Sequence, residues 1–582
     1  MTKRWRPGLV SASLVLCLLL TGCATVPTEG AVERVTPPNQ THAKKGVEVR
    51  PVPPQRDASP DAVLAGYLDA MASLEPGFTV ARQYLTPEAA RDWRPAAGVT
   101  VFDGDTRSSI PGSTTAGIQA RVVGSLDAQG HYTAVTGRML RRDFTMEQVD
   151  GQWRISNPPP GLLVSHYTLV NRFSPTSVWF LTPGSSTLVP ERVWLASNPA
   201  GPSEAVRALL HGPSDWFAPA VSTAIPAGTR LGTGGVTVSD GVAEVPLDGE
   251  LTALPDRARV QVMAQLGWTL KAFPEVNAVR VLVEGRPWGT PVHGLAAPIP
   301  IEDLPGLPPV PLAGDDQPFA VVDGSVGRLD DQGSFSVLGG RLGAGDWGER
   351  AGELAVSSTS STIAVVNQDG TTLHSSRLGR DSLTLRLRAD KITNPVVTTT
   401  GVVWASVGGD ASRALRRSVP DSAELQPVEV PELKGATIQA LAVSPEQTRL
   451  AVVLRRGSTT QLAVLRLHGE KVDGMRVIPL QVSQLALDQV LDVGWTGAEQ
   501  LMVLASQRAE SRTSAYLVSA DGSQVDDVGP AGELELVELV TRPQDDGAVA
   551  LLRDRTGQVL RYESAWRWQI LPQEVQGLAV PS

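Results

Sequence analysis

IQALAVSPEQTRLAVV (438–453), VLDVGWTGAEQLMVL (490–504) and LVELVTRPQDDGAVALL (536–552) share one plan. Each is an apolar stretch, a polar turn and a second apolar stretch, and their starts fall about 50 residues apart. A lone hairpin of this kind cannot cover its own apolar faces. Repeated four-stranded sheets stacked around an axis can, because each sheet buries the faces of its neighbours. Short apolar strands separated by Gly- and Asp-rich turns continue across residues 318–582. This texture predicts an all-β, propeller-like domain of five or six blades. Trp566 and Trp568, two apart on an expected strand, share a face and read as blade packing.

The chain has 582 residues, too many for one ordinary core, so several domains are expected. Gly numbers 56 and Pro 45 while aromatics are 5 %, a balance that favours strands and turns over helical bundles. The net charge of −10 repels phosphate backbones and makes nucleic acid a poor partner. Both cysteines, Cys17 and Cys23, lie near the N-terminus, so no disulfide staples the body of the chain.

Upstream of the repeats, residues 291–317 are Pro-rich and read as a linker. Residues 172–290 mix both periods. Strands are expected at Val178–Leu181 and Val193–Leu195, and Ser203 as the cap of a helix through Leu210 that stops at Gly212-Pro213. A hairpin turns at Asp240-Gly241. A longer helix then carries Val260, Met263, Leu266, Gly267 and Leu270, and a strand runs over Val279–Val283 to a turn at Glu284-Gly285. Residues 59–165 open on Ser59-Pro60, a cap followed by Pro at the first helical position. Val63, Leu64, Tyr67, Leu68, Met71 and Leu74 recur at helical spacing, and a second helical stretch follows (79–85, 87–93). The period then changes to two at Ile118–Leu126, Tyr132–Val135 and Phe144–Val149, with a tight turn at Asp150-Gly151. The order resembles cone-shaped NTF2-like domains.

Residues 1–22 read as a signal peptide. Lys3, Arg4 and Arg6 precede the apolar run Leu9–Leu20, which is too short to span a bilayer comfortably. Leu20-Thr21-Gly22-Cys23 resembles a bacterial lipobox. That resemblance implies cleavage between Gly22 and Cys23, a diacylglycerol thioether on Cys23 and an acylated amino group. Two or more chains anchor stably where one is marginal. Residues 23–58 then form a lipidated, Pro-rich tether. The expected location is the extracytoplasmic face of the cell membrane.

The order VWLA (193–196), EAVRALLHGPS (204–214), AIPAGTRL (224–231), VSDGVAEVPL (238–247) and QLGWTLKAFPEVNAVRVLVEG (265–285) resembles the GerMN domain of sporulation and germination proteins. With the lipobox before it and the strand-rich region after it, the whole chain resembles the LpqB lipoprotein family of actinobacteria. The fold class is thus multidomain: two α+β domains (an NTF2-like cone and GerMN), then an all-β propeller. The family resemblance implies an accessory role in the MtrA–MtrB two-component system, exercised on the extracellular region of the sensor kinase MtrB. It implies an influence on envelope homeostasis and division. No cofactor is implied.

A search for chemistry returns little. The seven histidines are scattered, and no HExxH, CxxC, phosphate loop or GxSxG elbow is present. Cysteine nucleophiles are excluded because Cys23 would be acylated. Asp315-Asp316, Asp330-Asp331, Asp526-Asp527 and Asp545-Asp546 sit in turn-like contexts, and Asp103-Gly104-Asp105 lacks the further ligands of a calcium loop. Trp216-Phe217, if exposed, would make a hot spot for a protein partner, but burial that plugs the core under its own loop is the favoured reading. The chain therefore reads as a binding protein without catalytic or metal residues. Two alternatives have marks of their own: a peptidoglycan- or carbohydrate-binding protein would show a groove of exposed Trp and Tyr, and a wall hydrolase would show two converging carboxylates.

Overall fold

The computed structural model describes residues 51–581 except 110–112, 185–186, 199, 290–297, 304–316, 346, 360, 381, 421, 483–484, 508–511, 531–533 and 545–546. Cys17, Gly22, Cys23 and most of the expected tether lie outside the described residues. Residues 51–58 do not behave as tether: the Val52 carbonyl accepts the Tyr84 hydroxyl at 2.7 Å, and Ala58 packs on the first core.

Helix α1 (Pro60–Ala72) begins where the Ser59 hydroxyl accepts the Ala62 N–H, and Pro60 occupies a position whose own N–H is not needed. It buries the face carrying Val63, Leu64, Tyr67, Leu68 and Met71. Two short helices follow, α2 (Thr79–Gln83) and α3 (Pro87–Asp92). The sheet comprises β1 (Val99–Ser109), β2 (Thr115–Leu126), β3 (Tyr132–Val149), β4 (Gln152–Ile155) and β5 (Leu162–Ser165), in the order β4-β3-β2-β1-β5. β3 is continuous over 18 residues where the sequence suggested two pieces. Its middle, Thr136–Met139, is exposed and bears no apolar alternation, but its pairing with β2 carries the strand through.

Helix α4 (His166–Arg172) leads into the second α+β unit. There β6 (Phe173–Leu181) and β7 (Leu188–Ala196) form an antiparallel pair, followed by α5 (Gly201–His211). The second sheet holds β8 (Arg230–Leu231), β9 (Thr237–Ser239), β10 (Val242–Asp248), β11 (Ala278–Val283), β12 (Arg286–Trp288) and β13 (Ile299–Pro300). β10 and β11 run parallel, so the connection between them must cross over, and α6 (Asp256–Leu270) provides it. Ser203 is not the cap of α5. It lies inside the helix, where its hydroxyl accepts the Val236 N–H at 2.8 Å and ties α5 to the loop before β9. β13 lies within the stretch read as linker, and its Ile299 is buried in this unit's core.

The third region contains six four-stranded antiparallel sheets among the described residues, and is a propeller. Blade one holds 319–322, 325–329 and 335–337; blade two 351–388; blade three 392–428; blade four 437–478; blade five 489–529; blade six 536–571. The fourth strand of blade one is Gly577–Ala579, its innermost, pairing Phe319 with Ala579 and Val321 with Gly577. The three sequence repeats are the first two strands of blades four, five and six. Trp566 is not on a strand. It occupies the turn before the last strand of blade six with φ +65° and is 48 % exposed, whereas Trp568 packs inward and donates to the Val528 carbonyl at 2.9 Å. Among the described residues no helix is long and apolar enough to cross a membrane.

Candidate functional site

The innermost strands of blades two to six each carry a register shift near their start, at 351–354, 393–396, 438–440, 490–492 and 536–538. A bulge re-aims the side chain beside it. Here the residues at or next to the shifts are Glu353, Asn394, Gln439, Asp492 and Glu538, all lining a central cavity of about 660 Å³. Four blade junctions are bridged from this ring. Glu353 accepts the Asn394 N–H at 2.7 Å and Asp492 the Leu539 N–H at 2.8 Å. Glu538 accepts the Leu578 N–H at 3.3 Å, and Gln439 donates to the Leu491 carbonyl at 3.3 Å. The ring thus fastens each of these blades to the next.

Three of these groups are carboxylic acids. Glu538 pairs with Arg553 at 2.5 Å. Crowding by protein disfavours charge on the other two: desolvation raises Asp492 and Glu353 to about 7, against the downward pull of their backbone hydrogen bonds. The charge of Glu538 pushes both in the same direction. Glu353 is exposed to the channel, and Asp492 is half-buried.

A second cluster lies where the three domains meet. Trp194 of β7 packs into the core of the first domain, and its indole N–H reaches Asp521 of blade five at 3.3 Å. His166 Nε2 donates to the Ser523 carbonyl at 2.9 Å, and the Ser177 hydroxyl donates to Glu499. His131 is 8 % exposed, with Nδ1 2.9 Å from Asp127 and Nε2 3.7 Å from Glu191. Burial alone lowers the imidazole, but the Asp127 hydrogen bond and the charge of Glu191 outweigh it, and the net shift is upward.

Trp216 and Phe217 belong to this junction. Phe217 is buried against Val189 and Ala220, and Trp216 packs on the core shared by blades four and five. The Trp216 indole donates to the Gly474 carbonyl, its own carbonyl accepts Arg466 at 2.5 Å, and Arg476 stacks 4.4 Å from its ring. Arg449 lies 5.1 Å from the Phe217 ring. The hot-spot residues therefore hold the chain's own propeller, and neither ring is an open surface for another molecule.

The acidic pairs read as turn residues are only partly so. Asp103 and Asp105 flank a bulge in β1 and pair with Arg121 and Arg107. Asp330 accepts two backbone N–H groups in its turn, which hold its carboxyl below the usual range, while Asp526 and Asp527 lie on a strand of blade five. Asp315, Asp316, Asp545 and Asp546 lie outside the described residues. Among the described residues no three His, Cys, Asp or Glu side chains are placed to hold a metal ion. The channel ring was missed in the sequence, although a trace of it is there: each repeat carries one polar residue early in its apolar stretch, Gln439, Asp492 or Glu538.

A protein of Cutibacterium acnes named Lipoprotein LpqB is 31 % identical to this chain, covering 99 % of each. The chain belongs to the LpqB lipoprotein family. Another relative, Lipoprotein LpqB of Thermobifida fusca, is 29 % identical over 87 % of this chain and 88 % of its own. The LpqB N-terminal domain model matches residues 53–170, that for sporulation and spore germination 177–288, and the LpqB beta-propeller model 324–582. The channel ring lies wholly within the LpqB propeller match, while the three-domain junction draws on all three. A putative TolB from Agrobacterium tumefaciens aligns at TM-score 0.32 and 11 % identity, over 46 % of this chain and 95 % of that one.

Proposed function

We propose that this protein is a non-catalytic lipoprotein, held by acylated Cys23 at the outer face of the cytoplasmic membrane, that regulates the MtrA–MtrB two-component system by contacting the extracellular region of MtrB. The observation that carries this reading is the junction. Buried aromatic and polar contacts fasten both N-terminal domains to the far-end turns of blades four and five, at Arg449, Glu499 and Asp521 to Ser523. The ring of polar residues lies at the other ends of the innermost strands, where they begin. A body so locked presents a fixed surface, which lowers the ordering cost of a protein contact. A lipid anchor would add effective concentration near any membrane-bound partner. Membership of the LpqB family supports the lipoprotein part, and family resemblance supports the kinase. The channel carboxylates do not favour a hydrolase: each gives an oxygen to a backbone N–H of an adjoining blade, and Glu538 is also paired with Arg553. Among the described residues the strongly exposed aromatic rings are Tyr167 on α4 and Trp566 in blade six, which belong to different domains and do not line the channel.

The test is capture of membrane proteins by the purified protein, followed by direct binding to the isolated extracellular region of the kinase. Enrichment of the kinase and saturable binding of the purified pair are expected. Recovery of wall fragments alone, or no binding by the purified pair, would sink the kinase link.

A further inference from the structure

We propose that the contact between the first two domains is a pH-sensitive clasp, closed when the His131 ring carries a proton on both nitrogens and loosened when it loses one. The clasp does not depend on the partner reading and is tested without any partner.

His131 stands in the turn between β2 and β3, with its side chain 9 % exposed, and each ring nitrogen faces a carboxylate. Nδ1 lies 2.9 Å from Asp127 of the same turn, and Nε2 lies 3.7 Å from Glu191 of β7, in the second domain. Both acids are already acceptors. Asp127 takes the N–H groups of Gln129 and His131, each at 2.9 Å, and Glu191 takes the Ser214 N–H at 2.9 Å and the Ser214 hydroxyl. A neutral imidazole has one N–H and one lone pair, so either tautomer turns a lone pair toward a carboxylate. With the N–H on the shorter contact to Asp127, Nε2 is left buried, facing Glu191 and without a hydrogen-bond partner among the described residues. Only the imidazolium offers a donor to both domains.

The other groups lining this small cavity do not replace that charge. Glu499 accepts the Ser177 hydroxyl, Asp521 accepts the Trp194 indole, and Arg449 is paired with Glu446. Tyr132 donates its hydroxyl to the Val123 carbonyl at 2.9 Å. Arg192 of β7 and Arg476 of blade four add positive charge to the lining. Burial lowers the imidazole, and Arg476 lowers it further, but the Asp127 hydrogen bond and the charges of Glu191 and Asp127 raise it above its ordinary value. Against its own burial, Asp127 is held below the usual carboxylate range by the same hydrogen bond, so it stays ionised through neutral pH. A histidine raised in the folded state contributes fully below the ordinary histidine range, and that contribution is lost as pH climbs through the raised value. The neutral bond beside it, from the Trp194 N–H to the Gly130 carbonyl at 2.8 Å, has no such dependence, so the clasp loosens rather than parts.

The experiment is hydrogen exchange on the full-length protein in detergent, read by mass spectrometry between pH 6 and pH 9 and corrected for the chemical pH dependence of exchange. Opening of peptides covering 127–134 and 189–196 should rise about fivefold across that range, while peptides of blade two stay unchanged. His131→Gln keeps one donor but takes no charge, and its opening should be the same at both ends of the range. Glu191→Gln, which leaves the histidine in place, should shrink the pH response, and it carries the test if the first variant no longer melts cooperatively. Flat opening in the unsubstituted protein, a full pH response surviving in either cooperatively melting variant, or an equal response in blade two would overturn the proposal.

Discussion

Glu446 has no exposed side-chain surface, and Arg449, three residues on, meets it with Nε at 2.9 Å and Nη2 at 2.6 Å. The same guanidinium lies over the rings of Phe217 and Trp495, so one side chain closes a turn of blade four and receives the neighbouring domain. Removing it leaves a buried carboxylate with no cation. Arg449→Ala should therefore cost about 3–5 kcal/mol in urea unfolding, while the pair replaced together by apolar residues should cost much less. The ion pair could not be read from the sequence, because an Arg three residues after a Glu is common on solvated surfaces. Turn chemistry was legible at this scale. Asp150-Gly151, Asp240-Gly241 and Glu284-Gly285 all adopt positive φ at both residues, the geometry a two-residue hairpin needs, and Gly at the second place is its written sign.

Among elements, those with a local reason to form were legible and those held by a neighbour were not. α1 has a cap, a proline and an apolar stripe in one run of sequence. The middle of β3 has none of these and exists because β2 pairs with it. Ser203 misled because a serine beside an apolar run looks like a cap, whereas the loop before β9 takes its hydroxyl. The turn between β2 and β3 shows how an element can serve another domain. Gly130 there has φ +88°, and a Cβ on it would lie 2.6 Å from the Trp194 carbonyl oxygen, whose own residue donates its N–H to the Gly130 carbonyl at 2.8 Å. Gly130→Ala should lower stability by about 2 kcal/mol or more from left-handed strain plus the backbone clash. Urea unfolding followed through tryptophan fluorescence, with Trp194 at the contact, reads both the loss and its place.

At the scale of the whole molecule, the propeller closes on strand Gly577–Ala579, which completes blade one from the far end of the domain. Leu578 is 1 % exposed, and its N–H meets Glu538 of the ring. Without this strand, Phe319 and Val321 lose their cover and blade one gains an open edge. Deletion of residues 575–582 should make blade one the first site of cleavage in limited proteolysis, ahead of blades two to five. Unchanged cleavage order would show that closure rests elsewhere. By itself the sequence determined the division into two α+β regions and a strand-rich third, the helix stripes, the hairpin turns and the repeat of the blades. All of these are patterns within one element or one repeat, set by local sterics and by the period of the apolar residues. Only the tertiary structure decided that the described residues form six blades, that Trp216 and Phe217 serve the chain's own propeller, and that Glu353, Gln439, Asp492 and Glu538 share one channel. The bonds that gather that ring join residues 40 to 52 positions apart, and which blade lies beside which is a property of ring closure that no window of sequence contains.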